Sequence, residues 1–276
     1  MKIVRFAASG HNHYGILKGN KVQQLYANPF KPLKLLNQFY QLNEVRLLPP
    51  CQPSKIVAIG INYRSHATEF KHDLPDLPLM FLKPGTAVIG PEDNIIYPSL
   101  SKQVDFEGEL GIIISKKAHR IAVSDALKYV LGYTCFNDVT ARDLQKKDGQ
   151  WTRAKGFDTF AAIGPWIETE LDPSALKLET RLNGEIKQSG TTADLIFPVR
   201  QLVSAVSQVM TLLPGDVIAS GTPSGVGPMQ PGDTVEIQIE GIGILVNHVS
   251  RVESGRANNS TISAILIPLP LANYML

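Results

Sequence analysis

The sequence predicts a mixed, β-rich α+β fold. Short segments that alternate apolar and polar residues recur along the chain, as half-buried strands do. Turn signals containing Gly, Pro or Asn separate these segments, and Asn183-Gly184 is the strongest hairpin signal among them. Few segments show helical periodicity, and those are short.

Composition excludes several classes of protein. The 276 residues are 43% hydrophobic and 19% charged, which is ordinary for a soluble globular chain with a sizeable core. The formal net charge of +2, without a Lys/Arg block, does not favour nucleic acid as a partner. The 2 cysteines have no metal-ligand spacing, so a reducing, cytoplasmic location is expected. No apolar run is long enough to cross a membrane, and no signal-peptide pattern is present.

Three regions are predicted along the chain. Residues 1–50 form a small N-terminal β domain, with strands at 3–8, 14–18 and 22–26 and an irregular stretch from 28 to 50. Clustered prolines at 49, 50 and 53 indicate a linker, because they continue neither helix nor strand. Residues 51–253 form the larger domain, and residues 254–276 form a tail without an assigned role.

The larger domain begins with a strand at 55–61, and further strands are predicted at 130–136, 217–219, 234–239 and 243–252. A hairpin is predicted over 176–188. Helices are predicted at 123–129, with Ser124 as the N-cap, and at 197–210. A helical segment over 140–146 follows Asn137 and Asp138, either of which can serve as its N-cap.

Two acidic residues stand out in Val-Asp-Phe-Glu-Gly-Glu-Leu, residues 104–110. In a strand, Glu107 and Glu109 point to the same face. Two carboxylates at such a short distance repel each other unless a proton or a cation lies between them. A hard divalent ion resolves this repulsion, with Asp138 at the end of an apolar strand as the natural third ligand. The alternative is that the pair forms the solvated face of an edge strand.

Other candidates are weaker when taken alone. His66 and Glu69 meet if their segment is helical, and such a pair suits a general base; the alternative is an incidental charge pair. Lys83 lies at the end of a predicted strand and can be only a rim residue. Lys155 precedes Gly and can offer its ammonium to an anion, although a lone lysine is a weak functional signal. The loop at 220–227 offers backbone N–H groups to a carboxylate or phosphate but lacks the spacing of a P-loop.

Taken together and in order, these motifs resemble the fumarylacetoacetate hydrolase family over most of residues 55–252. The closest similarity is to its acylpyruvase and oxaloacetate decarboxylase branch. The motifs are Gly-Ile-Asn-Tyr with His66 and Glu69, Phe-Leu-Lys83-Pro, Asp-Phe-Glu107-Gly-Glu109-Leu, Asn-Asp138-Val-Thr-Ala-Arg142-Asp, Lys155-Gly-Phe-Asp-Thr-Phe, Asn183-Gly184, Gly221-Thr222-Pro-Ser-Gly-Val-Gly and Pro-Gly-Asp-Thr-Val.

The resemblance implies a β-roll core in the catalytic domain and a homodimer. It implies Mg²⁺ or Mn²⁺ held by Glu107, Glu109 and Asp138. It also implies roles for residues around the metal. His66 and Glu69 act as a catalytic dyad, Lys155 assists catalysis, and the substrate is bound by Arg142, Gln145, Thr222 and Lys83.

The reaction expected from the resemblance is C–C bond cleavage in a 2-oxo or 2,4-dioxo acid through a pyruvate enolate. Acylpyruvate hydrolysis and oxaloacetate decarboxylation both fit this description. The alternatives on the same site are a 2-hydroxyhepta-2,4-diene-1,7-dioate isomerase and an oxaloacetate tautomerase. A third possibility is a non-catalytic, metal-anchored binder of 2-oxo acids.

Overall fold

The computed structural model describes residues 1–65 and 73–251. His66, Glu69 and the predicted tail lie outside the described residues. The described residues form twenty strands, and their bounds follow in chain order. They are β1 Lys2–Ala8, β2 His11–Lys18, β3 Lys21–Leu25, β4 Leu35–Gln41, β5 Arg46–Leu48, β6 Lys55–Gly60, β7 Leu79–Pro84, β8 Val88–Ile89, β9 Asn94–Tyr97, β10 Val104–Phe106, β11 Gly108–Ile114, β12 Val130–Asp138, β13 Thr140–Ala141, β14 Ala161–Glu168, β15 Lys177–Leu182, β16 Glu185–Thr191, β17 Val217–Ala219, β18 Gly227–Met229, β19 Thr234–Ile239 and β20 Gly243–Arg251.

The same residues contain fewer helices than strands, and the helices are short. The predicted β-rich α+β class is therefore confirmed. The α-helices are α1 Arg142–Asp148, α2 Thr152–Lys155 and α3 Val199–Val209. The 3₁₀ helices are Leu42–Glu44, Gly85–Ala87, Val123–Tyr129 and Thr192–Asp194.

One large sheet runs through both predicted domains. Its strand order is β4-β3-β2-β1-β14-β12-β11-β17-β6-β7, with β5 paired to β1 and β8 paired to β14. The N-terminal strands join the rest through β1 and β14, where Lys2 pairs with Glu168 in antiparallel register. The N-terminal region therefore extends the sheet of the larger domain.

Two smaller sheets complete the fold. A three-stranded sheet has the order β13-β10-β18, and a five-stranded sheet has the order β16-β15-β19-β20-β9. The hairpin β15–β16 turns at Asn183 and Gly184, whose φ angles of 53° and 82° fit the tight turn predicted there. The main apolar core contains residues from all three sheets together with the buried side of α3.

Some local predictions are wrong. Residues 28–50 are not irregular, because β4 and β5 lie within them. The segment Val123–Tyr129 is a 3₁₀ helix preceded by Ala122, and no side chain caps it. Helix α1 begins after Ala141, so neither Asn137 nor Asp138 caps it. Asn137 and Asp138 instead lie at the end of β12, because pairing with β14 in a buried sheet outweighs their preference for a capping position.

The two cysteines, Cys51 and Cys135, are free and buried. Burial raises the pKa of each thiol to about 12, which makes both unreactive. Among the helices that the structure describes, none has the length and apolar character needed to cross a bilayer.

The carboxylate of Asp216, which precedes β17, ties the inter-domain linker to the large sheet. It is fully buried and accepts hydrogen bonds from the Ser54 amide and hydroxyl, the Lys55 amide and the Leu213 amide. The Lys55 ammonium lies 2.5 Å from its second oxygen. One fully buried carboxylate is therefore satisfied by several donors that come from the linker and from the turn before β17.

Because Asp216→Asn removes the charge that pairs with Lys55 and replaces one acceptor oxygen with a donor, it is expected to lower the free energy of unfolding by about 2–4 kcal/mol. Denaturant unfolding followed by circular dichroism measures this loss. The control, Ser54→Ala, removes one partner only and is expected to cost about 0.5–1.5 kcal/mol. Equal losses in the two variants would contradict the role assigned to Asp216.

Candidate active site

The chain changes sheets at Glu107. Strand β10 belongs to the three-stranded sheet and β11 to the large sheet, and Glu107 lies between them. Gly108 makes the crossing possible, because a Cβ atom there would lie 2.2 Å from the Thr180 hydroxyl. Glu107 and Glu109 therefore flank a bend, and the single continuous strand predicted from the sequence is interrupted.

Asp138 reaches the same place from the end of β12. Gly108 pairs with Asn137 in the β11–β12 ladder, and the Asp138 amide donates to the Glu107 carbonyl over 2.9 Å. One carboxylate oxygen from each of Glu107, Glu109 and Asp138 lies within 4.8 Å of the other two. All three residues are buried. The sequence-predicted acidic cluster is thus brought together.

Three basic side chains surround the acids. The Lys155 ammonium bridges Glu107, at 2.8 Å, and Asp138. The Lys83 ammonium contacts the other oxygen of Asp138 and donates to the Val139 carbonyl over 3.2 Å. The Arg142 guanidinium contacts Glu107. Lys83 and Lys155 are fully or almost fully buried, so Lys83 is not the rim residue that the sequence alone allowed.

These contacts set the charges in the site. Burial raises the pKa of Glu109 well above its usual value, and the nearby Asp138 and Glu107 carboxylates raise it further. Burial also opposes the charged form of Lys155, but Asp138 and Glu107 outweigh it and raise the pKa of that ammonium. Burial lowers the pKa of Lys83, with Asp138 acting in the opposite direction. Lys155 is therefore held as a cation beside acids that repel one another.

Backbone and amide groups fix the acids in place. The Gly221 amide donates to Glu109 over 2.8 Å, and Gly221 has a φ of +94°, which glycine adopts without strain. The Asn137 side-chain oxygen accepts from the Glu107 amide over 3.0 Å. The buried Asn62 side chain donates to the Ser220 carbonyl over 2.7 Å and so holds the loop that carries Gly221.

The donor set fits a hard divalent cation. Three buried carboxylates supply oxygen ligands only, and oxygen ligands are what Mg²⁺ and related ions prefer. Soft or borderline metals favour sulfur and imidazole ligands, which are absent from this cluster among the described residues. The mutual repulsion that raises the pKa of Glu109 is the repulsion that a bound cation removes.

A cavity of about 370 Å³ opens onto the acids. Its lining contains predicted site residues together with residues that surround them. It comprises Ile59, Gly60, Ile61, Phe81, Glu107, Glu109, Asp138, Arg142, Gln145, Lys146, Trp151, Lys155 and Thr222. Of the predicted substrate ligands, Arg142, Gln145 and Thr222 line this cavity. Lys83 lies behind Asp138 instead, and its ammonium contacts that carboxylate.

Asp105 and Trp151 lie at the site but escaped the sequence analysis. Asp105 accepts from Arg142 over 2.8 Å, and the same guanidinium donates to the predicted residue Gln145 over 2.6 Å. Trp151 supplies an aromatic wall to the cavity and contacts Phe81 edge-on. The only sequence signal for Asp105 was its place in the acidic motif. No sequence signal pointed to Trp151, because a lone tryptophan most often packs in a hydrophobic core.

Comparison with known families supports a shared architecture. The family model described as fumarylacetoacetate hydrolase, C-terminal, matches residues 55–250. A second model, described as Rv2993c-like, N-terminal, matches residues 1–50. The oxaloacetate tautomerase YisK of Bacillus subtilis is 43% identical over 235 residues, which is 79% of this chain and 78% of that protein.

Two solved structures are also similar. The 5-carboxymethyl-2-hydroxymuconate delta-isomerase of Mycobacterium smegmatis is 44% identical, with a TM-score of 0.87 over 91% of this chain and 100% of that one. The maleylpyruvate hydrolase of Sphingobium sp. SYK-6, solved with manganese(II) and pyruvate, is 30% identical. Its TM-score is 0.76 over 91% of this chain and 99% of that one.

Metal binding is expected to weaken at low pH. Protons compete with the cation for the carboxylates, and the raised pKa of Glu109 brings this competition closer to neutral pH. The affinity for Mn²⁺ should therefore fall from pH 8 to pH 6, by up to about tenfold per pH unit once the pH is below that pKa. Calorimetry in two buffers of different ionisation enthalpy should detect proton release. Equal affinity at both pH values without proton release would contradict this prediction.

Replacing one acid separates metal binding from stability. Glu109→Gln would remove one expected ligand and also like-charge repulsion, so the metal-free melting temperature at pH 8 should be unchanged or higher. Mn²⁺ at 100 times the wild-type Kd should stabilise the wild type by about 2.7 kcal/mol, and the variant should lose that gain.

The matched control for Glu109→Gln is Glu179→Gln, a buried glutamate on β15 that pairs with Arg181 at 2.7 Å outside the cavity. This variant should keep the thermal response to Mn²⁺. A Glu109→Gln protein that still responds to the metal would argue against the proposed ligand set.

Proposed function

Because the chain belongs to the fumarylacetoacetate hydrolase family, we propose that it is a divalent-metal-dependent enzyme that acts on 2-oxo acids through their enolates. The single observation that carries this proposal is the convergence of Glu107, Glu109 and Asp138 at one cavity. Such a carboxylate cluster in a concave, partly apolar site is the expected setting for a metal-assisted reaction on a small anion.

Glu107, Glu109 and Asp138 would hold the metal, for which we propose Mg²⁺ or Mn²⁺. When bound, it would act as a Lewis acid that stabilises negative charge developing on the substrate. The proposal draws support from the oxygen-only ligand set and from the manganese in the similar maleylpyruvate hydrolase. The choice between the two ions is left to measured affinity.

The charge balance of the described site favours an anionic substrate. Four acids (the three ligands and Asp105) face three basic side chains, Lys83, Arg142 and Lys155. With all seven groups ionised, this set alone carries one net negative charge, and a divalent ion would change it to one net positive charge. Arg142 is already engaged by Asp105, Glu107 and Gln145, so its main effect is to orient those groups. Gln145 then lines the cavity with its carboxamide oxygen accepting from Arg142, and its amide nitrogen donates to no acceptor among residues 1–65 and 73–251.

Lys155 is suited to act as a hydrogen-bond donor. Its raised pKa keeps it protonated, so it can stabilise an oxyanion, and it is a poor proton acceptor. The described residues that line the cavity include no histidine. We therefore assign the general base to His66, with Glu69 as its carboxylate partner, as the resemblance implies. Both belong to the segment outside the described residues.

One candidate reaction is cleavage of a C–C bond. In a 2,4-dioxo acid, a water molecule deprotonated by the base adds to C4. The C3–C4 bond then breaks, its electron pair forms the enolate of pyruvate, and a carboxylic acid leaves. In oxaloacetate, the same bond breaks with loss of CO₂ and without added water. Similarity to the maleylpyruvate hydrolase favours this reaction.

A second candidate is proton transfer without C–C cleavage. A base removes a proton from C3 of oxaloacetate, or from the enol hydroxyl of a hydroxydienedioate, and the enolate of that intact acid forms. A proton is then returned to oxygen in the first case or to carbon in the second. Tautomerisation of oxaloacetate and isomerisation of a hydroxydienedioate are the two forms of this reaction. The tautomerase and the isomerase reported above are 43% and 44% identical to this chain, which exceeds the 30% identity of the maleylpyruvate hydrolase.

We also propose a homodimer in the cytoplasm. Strand β7 lies at one edge of the large sheet, and its side chains Leu79 and Leu82 are 43% and 49% exposed. Leu77, shortly before that strand, is 78% exposed. Exposed apolar side chains along a sheet edge are typical of a surface that pairs with another chain. Light scattering coupled to size exclusion measures the mass, and a 30.2 kDa species at all concentrations would contradict the dimer.

A substrate panel tests the proposed reaction. With Mg²⁺ or Mn²⁺ present, oxaloacetate, acetylpyruvate and fumarylpyruvate are each followed for pyruvate release and for the ultraviolet change of enol to keto form. Pyruvate release supports cleavage, whereas an enol–keto change without pyruvate supports tautomerisation. Chelation with EDTA should abolish either activity. A metal-loaded protein inactive on all three acids and on a hydroxydienedioate would refute the enzymatic proposal.

Lys155→Met keeps the length of the side chain and removes its charge. Because an oxyanion donor typically contributes about 10²–10³ in rate, kcat should fall by that factor. Lys128→Met, at an exposed lysine far from the cavity, is the matched control and should leave kcat unchanged. A loss below about threefold in Lys155→Met would exclude the role assigned to this lysine.

A further inference from the structure

Gln188 connects the β15–β16 hairpin to the acidic site without touching the cavity. It lies on β16 and is 1% exposed. Its oxygen accepts from the Gly108 amide over 3.0 Å and from the Thr180 hydroxyl over 2.7 Å. Its nitrogen donates to the Thr222 hydroxyl over 2.7 Å and to the Pro223 carbonyl over 2.9 Å. A glutamine has two such donors and two such acceptors, and all four are in use.

The partners determine which way this carboxamide faces. A backbone amide such as that of Gly108 can only donate, and a carbonyl such as that of Pro223 can only accept. The oxygen of Gln188 must therefore point towards Gly108 and its nitrogen towards the loop at 222–223. The hydrogen-bond pattern fixes a single arrangement.

This arrangement also fixes the hydroxyl proton of Thr222. The Thr222 oxygen accepts from Gln188 and donates its one proton to the Gly108 carbonyl over 2.8 Å. The hydroxyl therefore has no proton left for a ligand. The backbone amide of Thr222 has no acceptor within residues 1–65 and 73–251, and Thr222 lines the cavity. The amide is thus the donor that Thr222 can offer to an anion.

Gly108, Gln188 and Thr222 form a closed ring beside the metal ligands. Gln188 holds the amide of Gly108, and Thr222 holds its carbonyl. Gly108 lies directly between Glu107 and Glu109, and Glu109 accepts from Gly221 in the same loop. A shift of the Gln188 carboxamide would therefore move the loop relative to both glutamates.

We propose that Gln188 is a positioning residue that orders the Thr222 hydroxyl, so that the Thr222 amide receives the carboxylate of a 2-oxo acid. This inference rests on the proposed function, because it assumes that the cavity binds such an acid beside a divalent ion. It assigns the Asn183–Gly184 hairpin a part in ligand binding, although no residue of that hairpin lines the cavity.

Gln188→Glu is the informative variant. It keeps both acceptors towards Gly108 and Thr180 and replaces both donors towards Thr222 and Pro223 with an acceptor. Calorimetry at pH 8 measures Mn²⁺ affinity first and then oxalate affinity in the presence of saturating Mn²⁺. We expect Mn²⁺ affinity within about threefold of wild type and oxalate affinity weaker by about tenfold or more, the loss of one hydrogen bond to a charged ligand.

The matched control is Asn247→Asp. Asn247 is 1% exposed and donates to the carbonyls of Gly90 and Asp93 over 2.8 and 2.9 Å, away from the cavity. Both variants should lower the melting temperature, but only Gln188→Glu should weaken oxalate. Equal oxalate affinity in the two variants and wild type would overturn the inference.

Thr222 variants test the same arrangement if Gln188→Glu fails to fold. Thr222→Ser keeps the hydroxyl and should bind oxalate within about twofold of wild type, whereas Thr222→Val breaks the ring and should lose about tenfold. Tight oxalate binding by Thr222→Val would overturn the inference. A wild-type protein that binds no Mn²⁺ refutes the proposed function. A wild-type protein that binds Mn²⁺ and oxalate, with unaffected variants, refutes only the role of Gln188.

Discussion

The structure of the site depends on how the mutual repulsion of the Glu107, Glu109 and Asp138 carboxylates is compensated. Three buried carboxylates within 4.8 Å of one another are unfavourable unless positive charge lies close to them. Lys83, Lys155 and Arg142 supply that charge from three different elements. Buried ion clusters rarely add stability beyond what apolar packing would give, so their presence in the core indicates a chemical use.

The fold accommodates this cluster through backbone geometry. At Glu107 the chain leaves the three-stranded sheet and enters the large sheet, and Gly108 allows the close passage past Thr180. The five-stranded sheet reaches the same point through Gln188, and the loop after β17 reaches it through Gly221. All three sheets therefore meet at one site. A change in any of them is transmitted to the acids through a few hydrogen bonds of buried groups.

Family membership and the proposed enolate site limit the possible reactions to a few and do not select one of them. Cleavage, tautomerisation and isomerisation each pass through an enolate of a 2-oxo acid and differ in which bond breaks or which atom accepts a proton. In the proposed mechanism Lys155 and the acids would stabilise such an enolate, whereas the base and the groups at the far end of the substrate would select the outcome. The similar proteins carry names from more than one of these reactions, as expected when one site supports related chemistry.

The sequence by itself determined the β-rich class, the Asn183–Gly184 hairpin and the three acids, because turn chemistry, alternation and charge repulsion act over short distances. It misjudged residues 28–50 and the capping role of Asn137 and Asp138, where sheet pairing outweighs local preference. It also misplaced Ser124, which lies inside a 3₁₀ helix instead of capping it. Only the tertiary structure placed Lys83 behind Asp138 and paired Arg142 with Asp105. It alone showed Gln188 joining the hairpin to Thr222, since those contacts link residues 34 or more positions apart.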